Sequence, residues 1–137
     1  MSKDTFLLEV VTPYRQLVRE EVAEITAPGT EGEFGVLAGH TPFLTALGVG
    51  ELMYRIGSEE HFLAVRRGFA EVQHAKVTVL AEEAEFPAEI DLQAAEALKA
   101  EAEHELQTYS REAKEYLEAE AKMERAMNQL QVGGRRR

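Results

Sequence analysis

Hydrophobic and polar residues alternate in short runs over the first part of the chain and repeat at helical spacing over the rest. Phe6, Leu8 and Val10 fall on one face of an extended run, with Leu7 and Val11 on the other, until Thr12-Pro13 punctuates it. Residues 15–22 and 23–27 read as further short strands, with Leu17 and Ile25 turned inward. Residues 43–47 and 52–56 follow, separated by Gly48-Val49-Gly50. Gly57-Ser58-Glu59-Glu60 is a hairpin connection into residues 62–65, and Gln73-His74-Ala75-Lys76 links residues 68–72 to 77–80. Many short strands with frequent turns predict a β-sandwich or flattened barrel over residues 1–86.

At Glu82 the pattern changes. Glu82-Glu83-Ala84-Glu85 is acidic, Phe86-Pro87 stops the sheet, and no Gly or Pro follows Asp91 until Gly133. Alanine, glutamate, leucine and lysine dominate, and all are strong helix formers. Asp91 can cap the first exposed N–H groups of a helix over about 91–107. Ala95, Leu98, Ala102 and Leu106 share one face of it. Thr108-Tyr109-Ser110 reads as a tight connection, with Ser110 as the N-cap of a second helix over about 111–131. Ala113, Tyr116, Leu117, Met123, Met127 and Leu130 form its stripe. Residues 87–137 are therefore expected to form an antiparallel helical hairpin, and the fold class is α+β in two parts. The stripes are narrow and alanine-rich. Leu98 and Leu106 each contribute about 1.5–3 kcal/mol if fully buried, and alanines much less, so weak docking is expected. Arg135-Arg136-Arg137, after Gly133-Gly134, reads as a frayed, solubilising end and not as a binding patch.

Size and charge narrow the function. The 137 residues suit one compact domain or a small domain with an appendage, and 45% hydrophobic residues can build a core. No apolar run is long enough for a transmembrane helix. The first residues, Met1 to Phe6, lack an apolar signal core, so the protein is expected to stay where it is made. A formal charge of −10 disfavours nucleic acid and anionic lipid as partners. The absence of cysteine excludes a disulfide framework and thiolate metal sites.

Candidate chemistry is sparse. His40, His61, His74 and His104 stand at no close metal spacing. The glycine-rich stretch from Gly29 lacks the GK[ST] ending of a phosphate-cradling loop, and no GxSxG or cysteine nucleophile occurs. Glu31 and Glu33 are paired carboxylates, but an exposed loop offers no desolvation to raise a pKa. No catalytic constellation, metal site or cofactor is expected. Two classes remain: a non-catalytic subunit of a larger assembly, or a cupin-like sandwich that binds a small molecule and carries a helical oligomerisation tail. The second needs inward-facing histidines and carboxylates. The strand interiors offer Phe, Leu, Val, Ile and Ala instead.

The stretch Glu31-Gly32-Glu33-Phe34-Gly35-Val36-Leu37-Ala38-Gly39-His40-Thr41-Pro42 resembles the EGxxGxxxGHxP signature of the epsilon subunit of F-type ATP synthases. A second block, Arg67-Gly68-Phe69-Ala70-Glu71-Val72 and then Val77-Thr78-Val79-Leu80-Ala81, is similar to that family's GGFxEV…VTVLA run, with Arg67 in place of its first glycine. The resemblance spans residues 6–132. It implies a non-catalytic central-stalk subunit that couples proton flow to ATP synthesis. Its partners would be the gamma subunit, the c-subunit ring and, through the hairpin, the alpha/beta catalytic head. It implies a peripheral place on the cytoplasmic face of the bacterial inner membrane. Rotor contact carries over to Glu31, Glu33 and His40. For Glu33 a solvated turn residue, and for His40 a hydrogen bond inside the loop, stand as the plainer alternatives. The basic residues Arg111, Lys114, Lys122 and Arg125 would meet the head and restrain hydrolysis. Some family members bind ATP on the hairpin. The matching positions here are Glu85, Ile90, Asp91 and Arg125, but Ala94, Glu101 and Gln129 stand where arginines are expected. Losing those cations argues against ATP binding.

Overall fold

The computed structural model describes residues 4–135, which fall into two compact units, one ending at Glu85 and the other beginning at Phe86. The first is a β-sandwich of seven strands: β1 (Phe6–Val11), β2 (Gln16–Val22), β3 (Glu24–Gly29), β4 (Gly32–Leu37), β5 (Phe43–Ile56), β6 (Glu59–Val72) and β7 (Lys76–Glu85). They join in the order β2-β1-β7-β6-β5-β3-β4. All pairs are antiparallel except β1 with β7. β2 also packs against β5, although β1, β7 and β6 lie between them in the order, so the sheet curls over itself. Phe6, Leu8 and Val10 are buried, as their alternation predicts. Val22, Ile25, Leu52 and Leu63 complete a core that holds no buried polar residue among those described.

Three strands are longer than expected, and β7 runs on through the acidic stretch at residues 82–85 instead of ending near Leu80. Gly48-Val49-Gly50 does not break the chain, and β5 runs through it. β6 likewise continues through Arg66, Arg67 and Gly68. Gly50 serves close approach instead of a turn, since a Cβ there would stand 2.6 Å from the Cβ of Pro28.

The inward side of these strands changes phase along their length. Leu47 and Leu52 are both buried, as are Val65 and Ala70 on β6 and Val79 and Ala84 on β7. Each pair is an odd step apart, which in a regular strand would point them to opposite faces. The register is continuous, pairing Leu47 with Gly68 and Gly68 with Ala81, then Val49 with Arg66 and Arg66 with Glu83. The slip therefore falls on the row between, occupied by Gly48, Arg67 and Glu82. There Arg67 has φ 55 and Gly68 has φ 136. A left-handed residue breaks the pleat and lets a strand pass between the layers of a sandwich. Arg67 lies inside β6. The glycine it replaces would have taken the same φ without the ~1–2 kcal/mol penalty of a side chain there. Gly68 is irreplaceable on different grounds, since a Cβ would lie 1.9 Å from the carbonyl oxygen of Leu80.

The second unit opens with a 3-10 turn, Pro87–Glu89, and continues as α1 (Leu92–Thr108) and α2 (Lys114–Gly133). Asp91 caps α1, its Oδ1 accepting from the N–H of Ala94 at 3.0 Å. Ser110 does not cap the second helix. Its hydroxyl donates to Glu112 at 2.6 Å and its carbonyl accepts from the N–H of Ala113, so a turn intervenes and the helix starts at Lys114, later than expected. The seam also differs. Leu117 and Met127 are 63% and 54% exposed, whereas Ala95, Ala102, Ala119 and Ala126 are buried. On α2, Ala119, Ala126 and Gly133 recur every seventh residue, interleaved with Tyr116, Met123 and Leu130. Small residues in that seam let two helices approach closely. Gly133 ends it as part of the packing. A Cβ there would lie 2.5 Å from Leu92 Cδ2. Arg136 and Arg137 lie outside the described residues.

Substituting Gly68→Ala should cost about 3 kcal/mol or more in urea unfolding, because Leu80 belongs to the neighbouring strand and cannot yield. Gly57→Ala, at φ 63 with open space around it, should cost only about 1 kcal/mol. Ala126→Leu should overpack the helical seam and destabilise the hairpin by about 1–3 kcal/mol, read as an earlier loss of helical circular dichroism.

Candidate functional site

The glycine-rich stretch is a β-hairpin followed by an ordered loop. Gly29 pairs with Gly32, which leaves Thr30 and Glu31 as the tip, and Gly32 supplies φ 123. The tip is fastened to β5, where Gly29 pairs with Leu47 and the N–H of Thr30 donates to the carbonyl of Ala46 at 3.1 Å. Phe43 then orders the loop between β4 and β5. Its ring meets Phe34 edge-on at 5.6 Å and tilts against His40 at 5.2 Å. His40 Nδ1 lies 2.8 Å from the carbonyl oxygen of Thr41, a hydrogen bond within the loop. Glu31, Glu33 and His40 are thus carried on two segments anchored to the beginning of β5. Both glutamates are exposed and His40 is half-buried. The arrangement presents carboxylates on a rigid frame, and the loop histidine keeps its ring against Phe43.

A second surface lies on the outward side of the sheet. Cross-strand register aligns Val11 with Leu80, Leu80 with Phe69 and Phe69 with Ala46. Phe69 and Leu80 are 54% and 53% exposed. Nearby Leu44 is 69% exposed. An apolar depression of about 420 Å³ opens beside this row, lined by Val11, Pro13, Gly68, Phe69, Leu80 and the Glu82 edge. The turn after β1 borders it. Thr12 Oγ1 accepts from the N–H groups of Tyr14 and Arg15 at 3.2 and 3.3 Å, and the Thr12 N–H donates to the Arg15 carbonyl. This fixed turn holds Tyr14 almost wholly in solvent. Across the row, Glu9 bonds Lys76 and Arg19, and the Lys76 ammonium chiefly holds its carboxyl below the usual carboxylate range. An apolar row with two large exposed side chains beside fixed charges is the kind of surface that protein partners cover. Periodicity along one strand could not reveal it, because the row exists only across strands.

The hairpin cations have different surroundings. Lys122 donates to Glu105 Oε1 and Oε2 at 3.0 Å and to Glu101 Oε1 at 3.2 Å, joining α2 to α1. The glutamate bonds, Glu105 first, raise its pKa above the ordinary lysine value. Arg111 and Lys114 are exposed and have no partner side chain among the described residues. Lys114 opens α2, the end where a cation is least favoured. Arg125 is half-buried and has interactions of its own. Of the positions matching a nucleotide site, Asp91 is committed to its cap, Ile90 is buried, and Glu85 belongs to the sandwich unit. Glu101, in an arginine's expected place, bonds Lys122. Among the described residues no group of His, Asp and Glu could hold a metal ion, and no helix is long and apolar enough to cross a membrane.

Comparison with known proteins covers both units. Residues 5–87 match the family described as ATP synthase, Delta/Epsilon chain, beta-sandwich domain, and residues 88–134 match its long alpha-helix domain. The chain is 50% identical over 128 residues to the ATP synthase epsilon chain of Geobacter metallireducens, covering 93% of each. It is 48% identical to that of Geobacter sulfurreducens over the same length. Among solved structures, it superposes with a TM-score of 0.81 and 28% identity on a chain of the Euglena gracilis mitochondrial ATP synthase OSCP/F1/c-ring structure, covering 91% of this chain and 79% of that one.

The Lys122 bonds fix a pH dependence. A raised lysine pKa means the stabilisation is complete below the ordinary lysine value of 10.5 and is lost as pH climbs through the raised one. The melting difference between the parent chain and Lys122→Met should therefore hold steady from about pH 6 to 9 and disappear at higher pH. Added salt should shrink it at any pH. A difference that persists with Lys122 deprotonated would assign the effect to packing of the methylenes.

Proposed function

The chain belongs to the ATP synthase delta/epsilon family as an epsilon subunit, and on that premise we propose that it is a non-catalytic part of the rotor. In this reading it sits on the central stalk, peripherally at the cytoplasmic face of the bacterial inner membrane. It couples proton flow through the c-subunit ring to ATP synthesis in the head.

The observation that carries the reading is the row of Val11, Leu80, Phe69 and Ala46, with Leu80 and Phe69 exposed, beside an apolar depression, on a sandwich with no buried polar residue among those described. Such a sandwich has no place for a cupin-like site, and such a row calls for a protein partner. The gamma subunit is that partner. The Glu31, Glu33 and His40 end meets the polar loops of the c ring, where exposed carboxylates give charge complementarity. The hairpin is the regulatory element. Arg111 and Lys114 are free to meet acidic surfaces of the alpha/beta head, while Lys122 must first exchange Glu101 and Glu105. ATP does not hold the hairpin closed. Glu101 places a carboxylate where a polyphosphate would need a cation, Ala94 and Gln129 leave two more such positions uncharged, and Lys122 is already engaged by Glu101 and Glu105.

Co-purification with recombinant gamma subunit tests the assignment. A chain ending at Pro87 should retain gamma binding, and loss of binding would move the docking function to the hairpin. In the assembled enzyme, removing residues 88–137 should raise ATP hydrolysis, and unchanged hydrolysis would refute regulation by the hairpin. Calorimetry of the intact subunit with ATP should show no binding in the low micromolar range. A clear micromolar isotherm would overturn the nucleotide reading.

A further inference from the structure

Arg67 stands at an unusual place. It occupies the row where the sheet passes between layers, with φ 55, while Gly68 beside it supplies the space the strand crossing needs. A glycine at position 67 would meet the backbone demand without strain, so the fold gives no reason for an arginine. The side chain is exposed. The chain carries 25 acidic residues against 15 lysines and arginines, so a local carboxylate is easy to find. Arg66 has two, Glu82 at 3.8 Å and Glu83 at 3.7 Å. Arg67 has no partner side chain among the described residues. It directly precedes Gly68 and Phe69, which line the apolar depression, and by register it stands opposite Glu82 at the depression's edge.

We propose that Arg67 is a specificity-determining residue of the docking face, pairing with a carboxylate of the rotor partner at the rim of the depression that receives the partner's apolar side chain. The inference rests on the reading of that face as the gamma-binding surface. An exposed apolar centre with a cation at its rim selects a complementary surface: an apolar knob with an acidic neighbour. The strain at Arg67 fits this role, since backbone strain is retained where a side chain is needed in a fixed direction. The guanidinium is a better choice than an ammonium because its planar fork grips a carboxylate with two parallel bonds. It also guards against other partners. A basic or neutral surface would leave this cation unmatched as the apolar contact closed.

The test uses the full chain and recombinant gamma subunit, with affinity measured by calorimetry at low and high salt. Arg67→Gly should melt at a higher temperature than the parent, because the strain is gone. The same variant should bind gamma about two- to five-fold more weakly at low salt, the range expected of one rim ion pair. That gap should close as salt rises. Arg67→Lys should recover part of the affinity and Arg67→Glu should bind more weakly than Arg67→Gly. Phe69→Ser, at an exposed position that leaves the fold intact, should weaken binding at both salt concentrations. If Phe69→Ser weakens binding while Arg67→Gly binds as the parent does, this inference is overturned and the docking face stands. If neither variant changes the affinity, the docking face falls as well.

Discussion

The sandwich depends on the near-contact between Gly68 and the carbonyl of Leu80. Only a residue without a Cβ can let β6 lie against β7 next to the row where both strands shift the phase of their pleat. Because that row is passable, one continuous hydrogen-bonded sheet supplies both layers of the core. Leu47 and Leu52, Val65 and Ala70, and Val79 and Ala84 can then all face inward despite their spacing. The same row fixes what the outside presents. Phe69 and Leu80 point outward because Ala70, Val79 and Ala81 point inward, so the apolar row is the reverse side of the core's own pattern.

Much of this was legible in the order of residues. The alternation at Phe6, Leu8 and Val10, the stop at Phe86-Pro87 and the cap at Asp91 each correspond to a local rule that the fold obeys. The glycines of β5 and β6 were not legible, because a glycine that breaks a strand and one that admits a neighbouring backbone look alike until the neighbour is known. The hairpin seam was obscured for a related reason. Leucine and methionine mark a helical stripe most loudly, yet burial went to Ala119 and Ala126, since the spacing between helices favours the smallest side chains. Ser110 had the right chemistry for a cap but found Glu112 first.

The candidate surfaces divide in the same way. Glu31, Glu33 and His40 stand out in the one-dimensional pattern, and the structure adds the Phe34 and Phe43 frame that holds their loop. The apolar row is invisible without strand register. Lys122 reads as a free cation until Glu101 and Glu105, a helix away, are brought against it. A residue's identity announces its chemistry, and its availability depends on partners that the linear order conceals.

The length of β5 and β6 has a mechanical consequence. Both strands run unbroken from one layer into the other, so the layers share their backbone as well as their core. A force applied along β5 and β6 is therefore borne by rows of hydrogen bonds loaded together, in shear along the strands, and the two layers stay joined through them. Along that direction the two layers yield together or not at all.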